Sequence, residues 1–562
     1  MYSPKRATFL EVFLKLCACL VSVLALLLPA CAISQEHHEH TAGAQPATLK
    51  SGMGSLRHPI ATTSEEAQKF FDQGLTLVYA FNHGEAVRSF ERAAELDPHS
   101  PMPYWGKALA LGPNYNQTQG EDEKGAYVAI QKARELETGA PENERAYVDA
   151  LAKRLTDNPK PEYDALGRAY AAAMREVARS YPDDPDAATL YAEALMDLRA
   201  WNLWTADGKP GENTLEIVSV LEGVLRRWPG HAGANHFYIH AVEASPDPER
   251  ALASAQRLQT AVPAAGHLVH MPSHIYVRTG DYDAAVRSNE QAVAVDNTYK
   301  RAMADPNMMY LMMYGEHNLH FLVFAAMMEG DSIAASNAVK ELVARANVGV
   351  TQVPSIEGFL PWQSLMLVRF GRWDDVLALP EPNANRKGLK FFWHYARGCA
   401  FAAQADVAKA QTERSAAETS YKDLPPGPAF GMLYNDWGVI HDLAIDTLDA
   451  RIAAAQGDRS GAIAKWRAAV TVQDQMRYDE PPDWYYPVRE SLGAALLRDG
   501  RASEAEQIFR EDLNQNPRNP RSLFGLSKSL EAQRKTVDAQ WVRMSFEAAW
   551  KAGSEAPRLE DF

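Results

Sequence analysis

The tetrapeptide Ala86-Val87-Arg88-Ser89 returns as Ala285-Val286-Arg287-Ser288, and the match continues in step, with Glu91, Ala93 and Asp97 against Glu290, Ala292 and Asp296. A chain that repeats its own helical pattern folds by stacking copies of one unit, because each unit's apolar face finds cover only on its neighbours. Further copies place Ala462, Trp466 and Ala469, then Ala505, Phe509 and Pro517, at equivalent steps. The turns Thr279-Gly280-Asp281-Tyr282, Glu329-Gly330-Asp331, Phe370-Gly371-Arg372-Trp373, Gln456-Gly457-Asp458 and Asp499-Gly500-Arg501 punctuate the C-terminal half. Each offers a glycine for the left-handed residue that ends a helix. No sustained alternation of apolar and polar residues marks a β-strand.

The clearest unit runs from Phe70 to Pro98. Gly74 and Tyr79 lie on its first helix, Ala86, Phe90 and Ala93 on its second, and Asp97-Pro98 closes it. Small residues let two antiparallel helices approach while Phe90 fills the space between neighbours. This pattern resembles the tetratricopeptide repeat (TPR) family, closing proline included. The resemblance implies an all-α fold, a right-handed TPR-like α-solenoid of antiparallel helix pairs over residues 64–550. It is motif-specific only near 66–98, 274–296, 453–473 and 492–517, and the irregular spacing of the turns marks many units as degenerate. It also implies a concave face that holds a peptide or protein partner.

Residues 229–330 depart from a plain repeat. They hold His231, His236, His240, His267, His270, His274, His317 and His320, half of the sixteen histidines in under a fifth of the chain. Pro229-Gly230 and Ser245-Pro246 bound a helix on which His236 and His240 stand one turn apart, with Glu243 further along the same face. Asp247-Pro248 opens a second helix to about Ala261. His267 and His270 fall in a connecting segment, and Pro272 starts a helix with His274 in its first turn. A third helix is expected from Asp305-Pro306, placing Met309, Met313, His317 and His320 on one stripe.

Imidazole ligates zinc, copper, iron and nickel, and two histidines one turn apart with a third from elsewhere is the usual geometric signal. Metal ligands are therefore expected among His236, His240, His267, His270, His274, His317 and His320. The methionines favour copper, since thioethers suit Cu(I). Glu243 and Glu316 favour zinc, with a carboxylate as ligand or general base. Met stripes are more often core filler, and a single histidine is more often a hydrogen-bonded interior residue than a ligand. His-Glu-x-x-His, a phosphate-binding glycine loop and a G-x-S-x-G elbow are all absent.

Two stretches fit the repeats poorly. Trp105-Gly106 and Gly112-Pro113-Asn114-Tyr115-Asn116 end a helix in an amide-rich loop, with Asn82-His83 on the preceding turn. Glu480-Pro481-Pro482-Asp483-Trp484-Tyr485-Tyr486-Pro487 breaks the helices around three aromatics. His83, Trp105, Asn114, Tyr115, Trp484 and Tyr485 are the expected groove contacts, with packed inter-repeat loops as the plainer reading.

A basic start, an apolar run from Leu16 to Leu28 and Ala30-Cys31-Ala32 make residues 1–32 a secretory signal cleaved after Ala32. Leu28-Pro29-Ala30-Cys31 also resembles a lipobox, which would acylate Cys31 and anchor the chain to a membrane. Periplasmic or cell-envelope location follows in either case. Loss of Lys5, Arg6, Lys15 and Glu11 takes the net charge from −15 to −17, which argues against nucleic acid as partner. Residues 33–63, with Glu36-His37-His38-Glu39-His40, are expected to be a flexible linker, and residues 551–562 a tail. Only Cys399 certainly survives cleavage, so stability must come from packing. Three functions stay open: an exported binding protein with a His-rich groove, a metal-dependent hydrolase or oxidoreductase on the same scaffold, and a plain assembly scaffold.

Overall fold

A computed structural model describes residues 47–303, 306–431, 434–550 and 557–562. The expectations for the signal segment, the 36–40 histidine tract, Asp305 and residues 551–556 lie outside the described residues. The fold is a TPR-like α-solenoid of antiparallel helix pairs, from Glu65–Tyr79 with His83–Leu96 to Pro520–Ala532 with Thr536–Ala549. Among the described residues the only β pairings are two isolated bridges, Trp204 with Pro210 and Pro428 with Asp436.

Local chemistry sets the helix ends. Ser64, Asn82, Asp184, Asp331 and Asp458 each cap a helix by accepting a backbone N–H of its first turn. All five glycine turns have positive φ, between 63° and 90°. At Gly280 the requirement is double: φ is 76°, and a Cβ there would lie 1.9 Å from the Pro517 carbonyl oxygen. Around that contact Arg518 pairs with Asp281 at 2.6 Å, so distant repeats touch across the chain.

The stacking device is explicit at both ends. A Cβ on Gly74 or Gly106 would lie 2.7 or 2.4 Å from the Phe90 ring, and one on Gly493 or Gly525 would lie 2.6 or 2.1 Å from Phe509. Each phenylalanine is thus sandwiched between glycines of the flanking helices, which permits the close helix approach that the repeat pattern predicts. One apolar core runs through the stack and includes the free thiol Cys399. No described helix is long and apolar enough to cross a membrane.

Three expectations need correction. Residues 47–63, expected within a solvated linker, pack on the solenoid: Met53, His58 and Ile60 are buried, and Ala264 N donates to Gly52 O at 3.0 Å. The described end of the expected tail also packs, with Phe562 buried and Arg521 Nη1 donating to Asp561 O at 3.1 Å. The third expected helix is broken into Met308–Tyr310, a π-helical turn Leu311–Gly315, and Glu316–Glu329. The wider turn rotates the faces before and after it out of register. Met308, Met309 and Met313 are consequently exposed and share no stripe with the histidines.

Candidate metal centre

Four short elements carry the histidines. The Ala232–Val242 helix is capped by His231, whose Nδ1 accepts from Ala234 N, and it presents His236 and His240 one turn apart. Its last turn ends on Glu243. The five-residue helix Gly266–His270, which the sequence pattern gives only as a connection, supplies His267 and His270. Pro272–Thr279 supplies His274, and Glu316–Glu329 supplies His317 just after the π turn. A polar brace fixes the short helix: His267 N donates to Tyr310 Oη at 3.2 Å, and that hydroxyl donates to Asp296. Asp296 fits because Gly266 has no side chain, since a Cβ there would lie 2.0 Å from its Oδ1.

These elements bring six imidazoles into one buried cluster. His236, His240 and His267 form one group, His270, His274 and His317 another, and His240, Glu243, His274 and Glu480 a third; within each group the potential ligand atoms lie within 4.8 Å of one another. His240 and His274 belong to two groups each, so the cluster is continuous. His317 keeps some exposure; the other five are buried. An open histidine-lined groove is therefore not what forms. Phe81 stacks on His240 and His267 and meets His236 edge-on from one side, and the 478–480 segment covers the other.

The hydrogen bonds orient the rings. His236 Nδ1 lies 2.6 Å from Tyr79 O, a carbonyl that can only accept, so Nδ1 carries the proton and Nε2 the lone pair. His270 Nδ1 lies 2.6 Å from Asn289 Oδ1, and Asn289 Nδ2 donates to Ala285 O, which fixes the amide's orientation. His240 Nδ1 donates to Glu243 Oε1 at 2.7 Å, and His274 Nδ1 faces Glu243 Oε2 and Glu480 Oε2. Four imidazoles thus spend Nδ1–H on an outer acceptor and turn Nε2 inward, the arrangement that outer-shell partners impose on metal-binding histidines.

The inward nitrogens are close. His270 Nε2 and His274 Nε2 are 2.7 Å apart, and His236 Nε2 and His267 Nε2 are 3.2 Å apart. Nε2 of His240 and Nδ1 of His267 are buried with no hydrogen-bond partner. Two neutral imidazoles with Nδ1–H committed elsewhere would meet lone pair to lone pair, so the His270–His274 contact is a place that could hold a cation, whether a shared proton or a metal ion. Burial, then the neighbouring imidazoles, holds His236, His267 and His270 well below the ordinary histidine value. The 3.2 Å separation is near the tetrahedral edge of about 3.3 Å for Zn–N bonds, whereas the 2.7 Å separation is short of it, so an ion shared by His270 and His274 would need those two rings to move apart.

The carboxylates divide. Burial raises Glu243, but the His274 and His240 imidazoles outweigh it and hold its carboxyl well below the usual range. Burial and the adjacent Glu243 push Glu480 well above that range. The pair therefore combines an ionised acceptor with a protonated acid. Tyr478 Oη donates toward both, at 3.2 Å to Glu243 and 3.3 Å to Glu480. A pocket of about 60 Å³ opens beside them and is lined by Tyr115, Trp201, Trp204, His240, Glu243 and Tyr478, among others.

The remaining expected site residues lie elsewhere. His320 packs 4.1 Å from the Trp362 ring and 5.3 Å from Phe359, and burial pulls it down to about 3, so it is a neutral core imidazole. Glu316, adjacent in sequence to His317, is in none of the groups above; burial pushes its carboxyl up to about 7. Of the expected groove contacts, Tyr115 alone lines the pocket, 5.5 Å from the His240 ring. Trp105 is core, against Phe71 and Tyr147, and Trp484 and Tyr485 are core against Tyr395, because a solenoid interior takes up large rings as readily as a groove does. His83 is buried near Glu121, and Asn114 caps its own loop through Asn116 N and Gln117 N. His231 and His58 both bond Asp186 and tie the 47–63 segment down.

Sequence reasoning missed Asn289, Tyr478 and Glu480. Asn289 had a signal: it stands where the first copy of the repeat has Phe90, so an amide occupies the filler position. Glu480 had a weaker one, in the Glu-Pro-Pro interruption of the helical pattern.

No family model matches the chain, and no curated protein is similar to it. Solved structures with a similar course include the human IFIT1 dimer with m7Gppp-AAAA, 13% identical, covering 87% of this chain and 91% of that one at a TM-score of 0.33. Yeast Tom70 is 11% identical, covering 86% and 93% at 0.29. The APC/C hetero-tetramer Cut9-Hcn1 is 11% identical, covering 84% and 78% at 0.31.

Proposed function

We propose that this protein is a metal-dependent enzyme, a hydrolase in reaction class, with its ions held inside a TPR-like solenoid by His236, His240, His267, His270, His274 and His317. The carrying observation is the His270–His274 contact, two Nε2 atoms 2.7 Å apart with both Nδ1 positions facing outer acceptors. The exposed methionines remove the argument for Cu(I), and an imidazole and carboxylate donor set suits zinc. A bound zinc ion would supply Lewis acidity and a water of lowered pKa. Glu243 accepts from His240 Nδ1 and His274 Nδ1 and so turns their Nε2 atoms toward the cluster; Tyr478 donates to that carboxylate and covers the cluster. Turnover, as opposed to mere storage of an ion, is favoured by the pocket, which gives a small molecule access to His240 and Glu243.

Export to the periplasm or cell envelope, by the signal read in residues 1–32, belongs to the same proposal. A partner-binding role has one observation in its favour: the last helix exposes Val537, Trp541 and Met544 on one face. It concerns a different surface and is compatible with a metal centre.

Elemental analysis of untagged protein, dialysed against buffered zinc and then against metal-free buffer, tests the metal. We expect about one to two ions per chain, and loss of most of them in the His270→Ala/His274→Ala variant. Wild-type protein that is folded by circular dichroism yet retains below about a tenth of an equivalent would end the metal reading.

A further inference from the structure

One wall of the histidine cluster is not a helix. Residues 477–483 lie between the Arg459–Gln473 and Arg489–Arg498 helices without helical structure, yet they reach the rings: Tyr478 Oη donates to Glu243 at 3.2 Å, and Glu480 Oε2 is 2.6 Å from His274 Nδ1. A single side chain holds both ends of this strap. Asn435 Oδ1 accepts from Arg477 N at 2.9 Å, and Asn435 Nδ2 donates to Arg477 O at 3.1 Å and to Asp483 Oδ2 at 2.6 Å. The Asn435 backbone N–H reaches the same Asp483 oxygen at 3.3 Å, and the residue is buried. Its amide therefore stands in for the neighbouring backbone that the strap lacks.

The attachment is otherwise thin. Among the described residues no backbone-to-backbone hydrogen bond involves residues 477–483, whereas the helices around the cluster are tied by their own ladders. A segment held by a few side-chain bonds opens locally before the helices do. Glu480 Oε1 is also buried without a hydrogen-bond partner, so its hydration offsets part of the cost of opening. The pocket beside the cluster, about 60 Å³ and lined in part by Arg477 and Tyr478, is too small for a divalent ion with roughly six waters of about 30 Å³ each. A hydrated ion on that side passes only when a wall moves. The other approach is past His317, which keeps some exposure and stands on the Glu316–Glu329 helix.

We propose that the strap 477–483 is the gate through which a divalent cation enters and leaves the histidine cluster, and that Asn435 is the positioning residue that holds it shut. A gate lies on the path in both directions. Loosening it speeds uptake and release by one factor and leaves their ratio, the Kd, where it was, whereas damage to a ligand raises the Kd. This rests on the metal reading for what passes, but not for the strap's attachment, which involves no ion.

Stopped-flow uptake of zinc by the full chain, and its release to a chromophoric chelator, test the gate in wild type, Asn435→Ala and Asp483→Ala. The two variants cut the same bond from opposite sides, so one serves if the other fails to fold, and near-UV circular dichroism checks both. Uptake and release are each expected to rise about tenfold, with the Kd constant to within about threefold. Tryptic cleavage after Arg477 in chelator-treated protein reads opening without metal, and is expected to accelerate by a similar factor. Unchanged zinc rates in the folded variants, or a raised Kd with unchanged uptake, would overturn the gate and leave entry past His317. A wild type that takes up no zinc, with cleavage after Arg477 still accelerated in the variants, would reject the metal centre and the passage of an ion while the hold of Asn435 on the strap stood.

Discussion

Glu243→Ala is expected to destabilise the metal-free protein by about 2–6 kcal/mol, roughly 1–3 for each of two buried imidazole N–H donors left without an acceptor. The carboxylate accepts from His240 Nδ1 and His274 Nδ1 and receives Tyr478 Oη, and its side chain is almost fully shielded from water. Truncation leaves two imidazole N–H groups facing an apolar void, next to Glu480. Glu243→Gln is the informative companion. Its amide oxygen can accept from one imidazole, but its NH2 faces the other and forces that ring to change tautomer, for an expected loss of about 1–3 kcal/mol. Urea unfolding of chelator-treated proteins measures both. An alanine variant within about 1 kcal/mol of wild type would show that the carboxylate does not hold the rings.

Asn289→Leu is expected to do the reverse: little harm to the fold, but a loss of roughly 10–100-fold in zinc affinity, the range seen when an outer-shell partner of a ligating histidine is removed. The side chain is fully buried on the Tyr282–Ala302 helix, at the position where another copy of the repeat has the core residue Phe90. An apolar residue there satisfies the packing that the architecture asks for and deletes the acceptor of His270 Nδ1. His270 is then free to place its proton on Nε2, where it blocks the lone pair. Competition against a chromophoric chelator reads the affinity, and thermal unfolding of the apo protein reads the fold. Unchanged affinity would remove His270 from the ligand set.

Those two residues also mark where sequence reasoning reaches its limit. Helix pairs, aspartate and serine caps and glycine turns follow from local rules, so Gly280 and Gly330 fall where the pattern puts them. His236 with His240 and His270 with His274 are legible because four residues is one turn. That the pairs meet is not legible, since it depends on how the short helix Gly266–His270 seats on Asp296 and on the return of a segment 206 residues beyond His274. The methionine stripe failed for a reason periodicity cannot carry: a π turn at Leu311–Gly315 resets the face. Trp105, inside the Met102–Leu111 helix, and Trp484 and Tyr485, in a helix break, are core because an aromatic residue looks the same in sequence whether it lines a groove or fills the stack.

Imidazoles from four helices are expected to enclose a cation. Crystals of the zinc-loaded full chain, with anomalous data collected on both sides of the zinc edge, test it most directly. The expected result is a peak at bonding distance, about 2.0–2.1 Å, from Nε2 of at least three of His236, His240, His267, His270, His274 and His317. No peak among those rings at full zinc occupancy in solution, or zinc confined to other residues such as His58 and Asp186, would contradict it.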